Sequence, residues 1–69
     1  MQQDIRKSVY DFIICFNETN GYPPSIREIA KGCFSSPMTI SSTLGILEAQ
    51  GKIARTPGKA RSIRIMRQP

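Results

Sequence analysis

The 69-residue sequence contains no histidine and no tryptophan, and its two cysteines do not form a CxxC pair. Histidine is the commonest metal ligand and the usual proton carrier near neutral pH, so its absence argues against a metal site and against acid–base catalysis. The chain also lacks a glycine-rich loop of the kind that cradles phosphates. We therefore expect no enzyme activity, no metal, no cofactor and no small-molecule substrate.

Long hydrophobic runs are missing as well. No apolar stretch approaches the ~20 residues that cross a membrane. The start of the chain, MQQDIRKSVYD, lacks the basic-then-apolar order of a signal peptide. We expect one small domain in the cytoplasm, without membrane contact. Cys15 and Cys33 are interpreted as buried thiols in a reducing compartment, although the sequence also allows one disulfide.

Acidic residues are absent from the last quarter of the chain. Residues 52–69 contain six Lys or Arg and no Asp or Glu, whereas residues 1–51 contain four basic and five acidic residues. The net charge of +5 therefore comes from the C-terminal segment. A basic segment of this kind beside a folded body favours a polyanionic partner. A solvated basic tail without a partner is the alternative.

Two helices are predicted in the first half of the chain. Apolar residues recur at helical spacing between Ile5 and Phe16, which predicts a first helix over residues 1–19. Ser25 and Glu28 fit the capping box S-x-x-E, which predicts the start of a second, shorter helix that ends near residue 32. Residues 33–35 would then turn the chain into a third helix, in a helix-turn-helix pattern.

The stretch SPMTISSTLGILEAQG, residues 36–51, predicts the third helix. Ser36 suits the N-cap, Pro37 the first helical position and Gly51 the C′ position. One face is an apolar stripe of Ile40, Leu44 and Leu47. The opposite face is small and uncharged, and it consists of Met38, Ser42, Gly45 and Ala49, flanked by Ser41. Such a face permits close approach, either to a partner or to a second side of the domain's own core.

A β-hairpin is predicted after the third helix. Residues 52–56 are typical of a short strand, Pro57-Gly58 of a type II turn, and residues 61–66 alternate with Ile63 and Ile65 facing inward. The turn would project as a basic tip. The order of elements defines a mostly α fold with a small β-hairpin, a three-helix winged helix-turn-helix over residues 1–66, followed by a frayed end at residues 67–69.

Three runs of the sequence, GYPPSIREIA, SSPMTISSTLGILEAQGKI and TPGKARSIRI, resemble the N-terminal DNA-binding domain of the LexA repressor family. The most specific parts are PPSxREI at the second helix and LxxLExxGxI from the third helix into the wing. The resemblance implies a sequence-specific, double-stranded DNA-binding transcriptional regulator, a repressor, acting on a palindromic operator. It also implies a bacterial, phage or plasmid setting at the nucleoid, and it allows a homodimer on DNA.

The resemblance further implies which residues contact DNA, because in that family the third helix reads bases in the major groove and the wing lies on the backbone. The residues expected to read bases are Ser36, Met38, Thr39, Ser41 and Ser42. The residues expected to bind phosphates are Arg27, Lys31, Lys52, Arg55, Lys59 and Arg61. Hydroxyl groups can donate or accept at base edges, and a methionine can lie against a thymine methyl group.

The sequence departs from the family in two ways. The family has a glycine in the turn before the third helix, but here Cys33 is followed directly by Phe34, so the turn is one residue shorter. The register of residues 36–38 could therefore differ by one. A full LexA repressor also has a C-terminal domain that dimerises and cleaves itself with a serine–lysine pair, for which 69 residues leave no room. Self-cleavage is not expected here.

A second class of function is left open by the residues. A winged-helix domain can use the same third helix as a protein-interaction module that binds another regulator. The two classes differ in salt dependence, because binding through phosphate contacts weakens steeply as salt concentration rises.

Overall fold

The computed structural model describes residues 5–56, 58–59 and 61–66. Three helices are followed by two short strands, in the order α1 (Ile5–Asn20), α2 (Ile26–Gly32), α3 (Pro37–Ala49), β1 (Ile53–Ala54) and β2 (Arg64–Ile65). The strands are antiparallel, with Ile53 opposite Ile65. This order confirms the predicted winged helix-turn-helix. Residues 67–69, predicted to be frayed, lie outside the described residues.

The hydrophobic core of the described residues lies where the three helices meet the base of the wing. Its buried apolar residues are Val9, Ile13, Ile29, Ala30, Ile40, Leu44, Leu47, Ile53 and Ile63. Full burial of one such aliphatic side chain contributes about 1.5–3 kcal/mol, so this cluster is the main source of stability in a chain of this size. The predicted apolar stripe of α3 is confirmed. Thr43 is buried beside it, and its hydroxyl donates to the Thr39 carbonyl over 2.8 Å.

The predicted capping box starts α2. The Ser25 hydroxyl oxygen accepts the Glu28 backbone N–H over 3.2 Å, and the Glu28 carboxylate accepts the Ser25 backbone N–H over 2.9 Å. The two bonds satisfy N–H groups that a helix N-terminus otherwise leaves without partners. The helix therefore begins at a defined residue, which fixes where the helix-turn-helix starts.

Gly51 ends α3 as predicted, in a Schellman motif. Its φ is +77°, and its N–H donates to the Glu48 carbonyl over 3.0 Å. The next N–H, that of Lys52, donates to the Leu47 carbonyl over 3.0 Å. Glycine suits the C′ position because it has no Cβ to clash in the left-handed conformation.

Phe34 ends α2 in the same motif without being a glycine. Its φ is +55°, and its N–H lies 3.4 Å from the Lys31 carbonyl. The Ser35 N–H donates to the Ala30 carbonyl over 2.9 Å. A left-handed conformation is unfavourable for a residue with a Cβ, by roughly 1–2 kcal/mol. The shortened turn is thus accommodated by backbone strain at Phe34.

The strained turn leaves the start of α3 in the expected register. Ser36 is the N-cap, and its hydroxyl oxygen accepts the Thr39 backbone N–H over 3.2 Å. Pro37 occupies the first helical position, where its missing N–H is not needed. The shift of one residue that a shorter turn could produce does not occur.

The strands of the wing are shorter than predicted. Each has two residues, although the sequence predicts strands over residues 52–56 and 61–66. Arg61 interrupts the second segment with a φ of +54°. The Ser62 hydroxyl oxygen accepts the Thr56 N–H over 3.2 Å and lies 3.1 Å from the Thr56 carbonyl, so a side chain replaces backbone pairing there. Gly58, at φ +79°, has the conformation of a type II turn, whereas Pro57 lies outside the described residues.

The prediction of two buried thiols is wrong. Cys15 is exposed and Cys33 is half-buried, and both are free thiols. Position 15 lies on the outer side of α1, because the helix turns Val9 and Ile13 toward the core. Burial raises the pKa of the Cys33 thiol. Neither cysteine therefore belongs to the core cluster as a fully buried side chain.

Replacing Phe34 by glycine is expected to stabilise the domain. Glycine relieves ~1–2 kcal/mol of left-handed strain but costs ~0.5–1 kcal/mol of backbone entropy, so a net gain of about 0.5–1 kcal/mol is expected. The Phe34 side chain is 97% exposed, so little apolar burial is lost. Urea denaturation measures the change. Gly51→Ala is the matched control, since it introduces a Cβ into the same motif and should destabilise. Equal or lower stability of Phe34→Gly would contradict the assigned strain.

Candidate nucleic-acid interface

The outer face of α3 is exposed, small and uncharged, as the sequence predicts. Met38 and Ser42 are exposed, and a Cβ added at Gly45 would meet no atom within 4 Å. Ala49 continues the exposed face toward the end of the helix. Open space beside a glycine in mid-helix means that its missing side chain does not serve the domain's own packing. The alternative of a second packed side of α3 is therefore wrong at this position.

The five predicted base-reading residues are all exposed, but their hydroxyl groups differ in availability. The Ser36 hydroxyl donates to the Thr39 hydroxyl oxygen over 3.0 Å while it caps the helix. These two groups are therefore engaged with one another. Within residues 5–56, 58–59 and 61–66, the Ser41 and Ser42 hydroxyls have no hydrogen-bond partner, so they are the two free polar groups of the face.

Four of the six predicted phosphate-binding residues surround one cleft between the start of α2 and the wing. The cleft has a volume of about 510 Å³, and its basic lining residues are Arg27, Arg55, Lys59 and Arg61. Lys52 instead lines a separate depression against Arg6 and Lys7 of α1. Lys31 lines neither. The fold thus gathers most of the basic candidates on the wing side and separates Lys52 from them.

Two of these basic residues are paired with carboxylates. Arg55 Nη2 lies 3.3 Å from Glu48 Oε1, and Arg61 pairs with Glu28. The other four have no carboxylate within ion-pair distance in the part of the chain that the structure describes; they are Arg27, Lys31, Lys52 and Lys59. The unpaired cations are the ones most available to a polyanion.

The Arg61–Glu28 pair fastens the wing to the start of α2. Arg61 Nη1 lies 2.7 Å from Glu28 Oε1, and Nη2 lies 2.9 Å from Oε2, which is a bidentate arrangement. Nη1 also donates to the Pro23 carbonyl over 3.3 Å, and the guanidinium carbon lies 4.8 Å from the centre of the Tyr22 ring. One side chain of the wing therefore makes two contacts with α2 and two with the segment that leads into it.

The pair shifts the pKa of both partners in the direction that favours their charged forms. The hydrogen bond from Arg61, followed by that from the Ser25 backbone, lowers the pKa of the Glu28 carboxyl group. The hydrogen bond to Glu28 raises the pKa of the Arg61 guanidinium. Both groups therefore keep their charges throughout the physiological pH range.

Sequence reasoning missed two residues of this region. The sequence indicates Glu28 only as a helix cap, because its partner Arg61 lies 33 residues further along the chain. The sequence indicates Phe34 only as part of the turn, although the residue is 97% exposed next to α3. The missing glycine at the family's turn was the one sequence signal that pointed to Phe34.

The fold and this surface define the class of the protein: a winged helix-turn-helix domain whose third helix has an open, uncharged outer face and is followed by a basic wing. The model of the family described as LexA DNA binding domain matches residues 3–62. The chain belongs to this LexA DNA-binding domain family, which confirms the resemblance found in its sequence.

The chain is similar to several curated proteins named LexA repressor. It is 40% identical over 63 residues to that of Koribacter versatilis, covering 90% of this chain and 30% of that protein. It is 41% identical over 68 residues to that of Clostridium acetobutylicum, covering 97% and 33%. It is 45% identical over 60 residues to that of Thermotoga neapolitana, covering 87% and 30%. The chain thus spans about a third of the length of these relatives.

A membrane-spanning helix and a metal-binding cluster are both absent from the described ranges. None of the three helices is both long and apolar enough to span a membrane. Among the same residues, no group of three or more His, Cys, Asp or Glu side chains is placed to hold a metal ion.

Acidification is expected to release the wing from α2. Because the folded-state pKa of Glu28 is lowered, its contribution to stability is complete above the ordinary glutamate pKa of about 4.3 and is lost as the pH falls from there through the lowered folded-state pKa. NMR signals of the Arg61 side chain and the Tyr22 ring should therefore be constant from pH 5 to 8 and change below pH 4.

Glu28→Gln should give, already at neutral pH, the Arg61 and Tyr22 signals that the wild type gives at low pH. The glutamine amide oxygen can still accept the Ser25 backbone N–H, but it lacks the charge that holds Arg61. Glu18→Gln on α1 removes the same charge elsewhere and is the control. Wild-type Arg61 and Tyr22 signals in Glu28→Gln at pH 7 would show that the pair does not hold the wing.

Proposed function

We propose that the chain is a sequence-specific double-stranded DNA-binding domain of a transcriptional repressor, with α3 in the major groove and the wing on the backbone. The observation that carries the proposal is the presence, in one small domain, of an open, uncharged face on α3 and of cations that have no carboxylate partner among the described residues. The family of the chain and the name of its relatives support the same function. The site of action would be the cytoplasm, at the DNA.

Phosphate contacts would come first and set the register. Lys59 on the wing, with Arg27 and Lys31 on α2, would flank the duplex backbone, and their charges are not neutralised by neighbouring carboxylates in the described part of the chain. Each phosphate they neutralise releases condensed counterions, which favours binding at low salt. These contacts position the protein but carry no sequence information.

Sequence would be read by the exposed face of α3. The major groove is about 12 Å wide and admits an α-helix. Gly45 and Ala49 would let the helix backbone approach the groove, because neither carries a bulky side chain. The free hydroxyls of Ser41 and Ser42 can donate to or accept from base edges, and Met38 can contact a thymine methyl group. The hydroxyls of Ser36 and Thr39 would contact bases only if the hydrogen bond between them were replaced by bonds to the bases.

A single domain would bind weakly. One module of this size buries only ~600–1,000 Å² of protein surface on DNA. Two copies on a two-fold site would combine their contacts, which is the reason to propose a palindromic operator and a homodimer on DNA. Selection of bound duplexes from a random pool tests the proposal directly. It should yield one enriched half-site, repeated with inverted orientation, and recovery of no enriched sequence would contradict it.

Gly45→Leu is expected to abolish sequence-specific binding without unfolding the domain. The leucine would fill the open space beside α3 and keep the helix out of the groove. Gly45→Ala is the matched control, since it should raise helix stability by ~0.8–1 kcal/mol and add only one methyl group. Binding to the selected duplex is measured by fluorescence anisotropy, and the fold by circular dichroism. Unchanged affinity of Gly45→Leu would mean that another face contacts DNA.

Lys59→Ala is expected to weaken binding to all duplexes alike. If Lys59 neutralises one phosphate, the slope of log affinity against log salt should become shallower by about 0.9. Lys7→Ala is the control, because Lys7 carries the same charge but lies on α1, paired with Asp11 over 3.6 Å. A slope that is equally shallow in both variants would indicate a general charge effect. An affinity that hardly varies with salt in the wild type would favour a protein partner.

A further inference from the structure

Two non-glycine residues among those described have a left-handed backbone, Arg61 and Phe34. The strain at Arg61 is offset by its ion pair with Glu28 and by its contact with the Tyr22 ring. Among the described residues, no ion pair or ring contact offsets the strain at Phe34, whose side chain is 97% exposed. The hydrogen bonds of its Schellman motif use backbone atoms alone, and a glycine would make them without strain.

An uncompensated left-handed residue points to a role outside the domain's own stability. Such strain costs of order 1–3 kcal/mol and is concentrated at sites of function. Phe34 combines it with the exposure of a whole aromatic ring to water. The domain would be more stable with glycine at this position, so what the phenylalanine contributes is its side chain, presented to a partner.

The position of Phe34 identifies the surface it belongs to. It lies two residues before the Ser36 N-cap of α3, and Met38, the second residue of that helix, is 80% exposed. The chain has no acidic residue between Glu28 and Glu48, so the sequence around these side chains has no charge that would repel a phosphate backbone. Two apolar side chains thus stand at the start of the helix that would enter the groove.

We infer that Phe34 joins Met38 in contacting thymine methyl groups in the major groove, so that the operator carries a second thymine beside the start of α3. This inference rests on the proposed DNA binding. The thymine C5 methyl is the apolar group that base pairs present in that groove, and apolar side chains recognise it by contact. A second copy of the chain is a poorer occupant, because two side chains fall far short of the ~1,200 Å² that a stable protein interface buries.

Uracil substitution tests the inference. The duplex obtained by selection from a random pool is resynthesised with each thymine replaced singly by uracil, which lacks only the methyl group. At one or two positions per half-site, the wild type should lose about fourfold in affinity, the effect of one buried methyl group. Each variant should lose the preference for thymine at one of these positions. Phe34→Gly should bind the thymine and uracil duplexes equally well where Phe34 makes the contact, and Met38→Ala should do so where Met38 makes it. Met66→Ala, an exposed methionine on the wing, should keep the wild-type profile.

Each other outcome overturns the inference in a distinguishable way. Selective, salt-dependent binding that is insensitive to uracil at every position would overturn it and leave the proposed function standing. Failure to bind any duplex would overturn both. An unchanged uracil profile in Phe34→Gly, together with a changed sedimentation coefficient, would assign the patch to contact between copies. Phe34→Gly is expected to fold, because glycine at position 34 relieves strain. Circular dichroism of this variant verifies that any change in binding does not come from unfolding.

Discussion

The carboxylate of Glu28 is the point on which the geometry of the site depends. It accepts the Ser25 backbone N–H that starts α2, and it accepts two bonds from the Arg61 guanidinium that belongs to the wing. One side chain therefore fixes both where the helix-turn-helix begins and where the wing lies beside it. Without it, the cleft between α2 and the wing would lose the bidentate contact that joins its two sides.

The wing needs this contact because little else holds its outer part. Its base is anchored by the buried side chains of Ile53 and Ile63, but β1 and β2 contain only two residues each. Between them, the described residues Thr56, Gly58, Lys59 and Arg61 are exposed, and the Ser62 hydroxyl is hydrogen-bonded to the Thr56 backbone. Segments with few buried contacts open at low free-energy cost. A bidentate ion pair near the tip thus restrains the part of the wing that apolar burial does not reach.

What could be predicted from the sequence is mostly what is local. The limits of α2 and α3 follow from Ser25, Ser36 and Gly51, whose effects extend over three or four residues, and the periodicity of α3 identified its buried stripe. The lengths of the strands and the pairing of Arg61 could not be predicted, because they depend on contacts across the fold. The left-handed conformation of Phe34 was hidden for another reason: sequence patterns assign that conformation to glycine or asparagine.

The pairing of Arg61 also changes how the net charge of +5 should be understood. Arg61 and Arg55 both form ion pairs with carboxylates. The positive electrostatic potential of the wing is therefore weaker than its number of basic residues suggests. A phosphate approaching Arg61 would have to replace a bidentate carboxylate, and the exchange would free the wing from α2. Lys59 carries no such cost, since it has no carboxylate partner in the described ranges. Attraction to a polyanion therefore depends more on the unpaired lysines, and the arginines of the wing mainly determine its position.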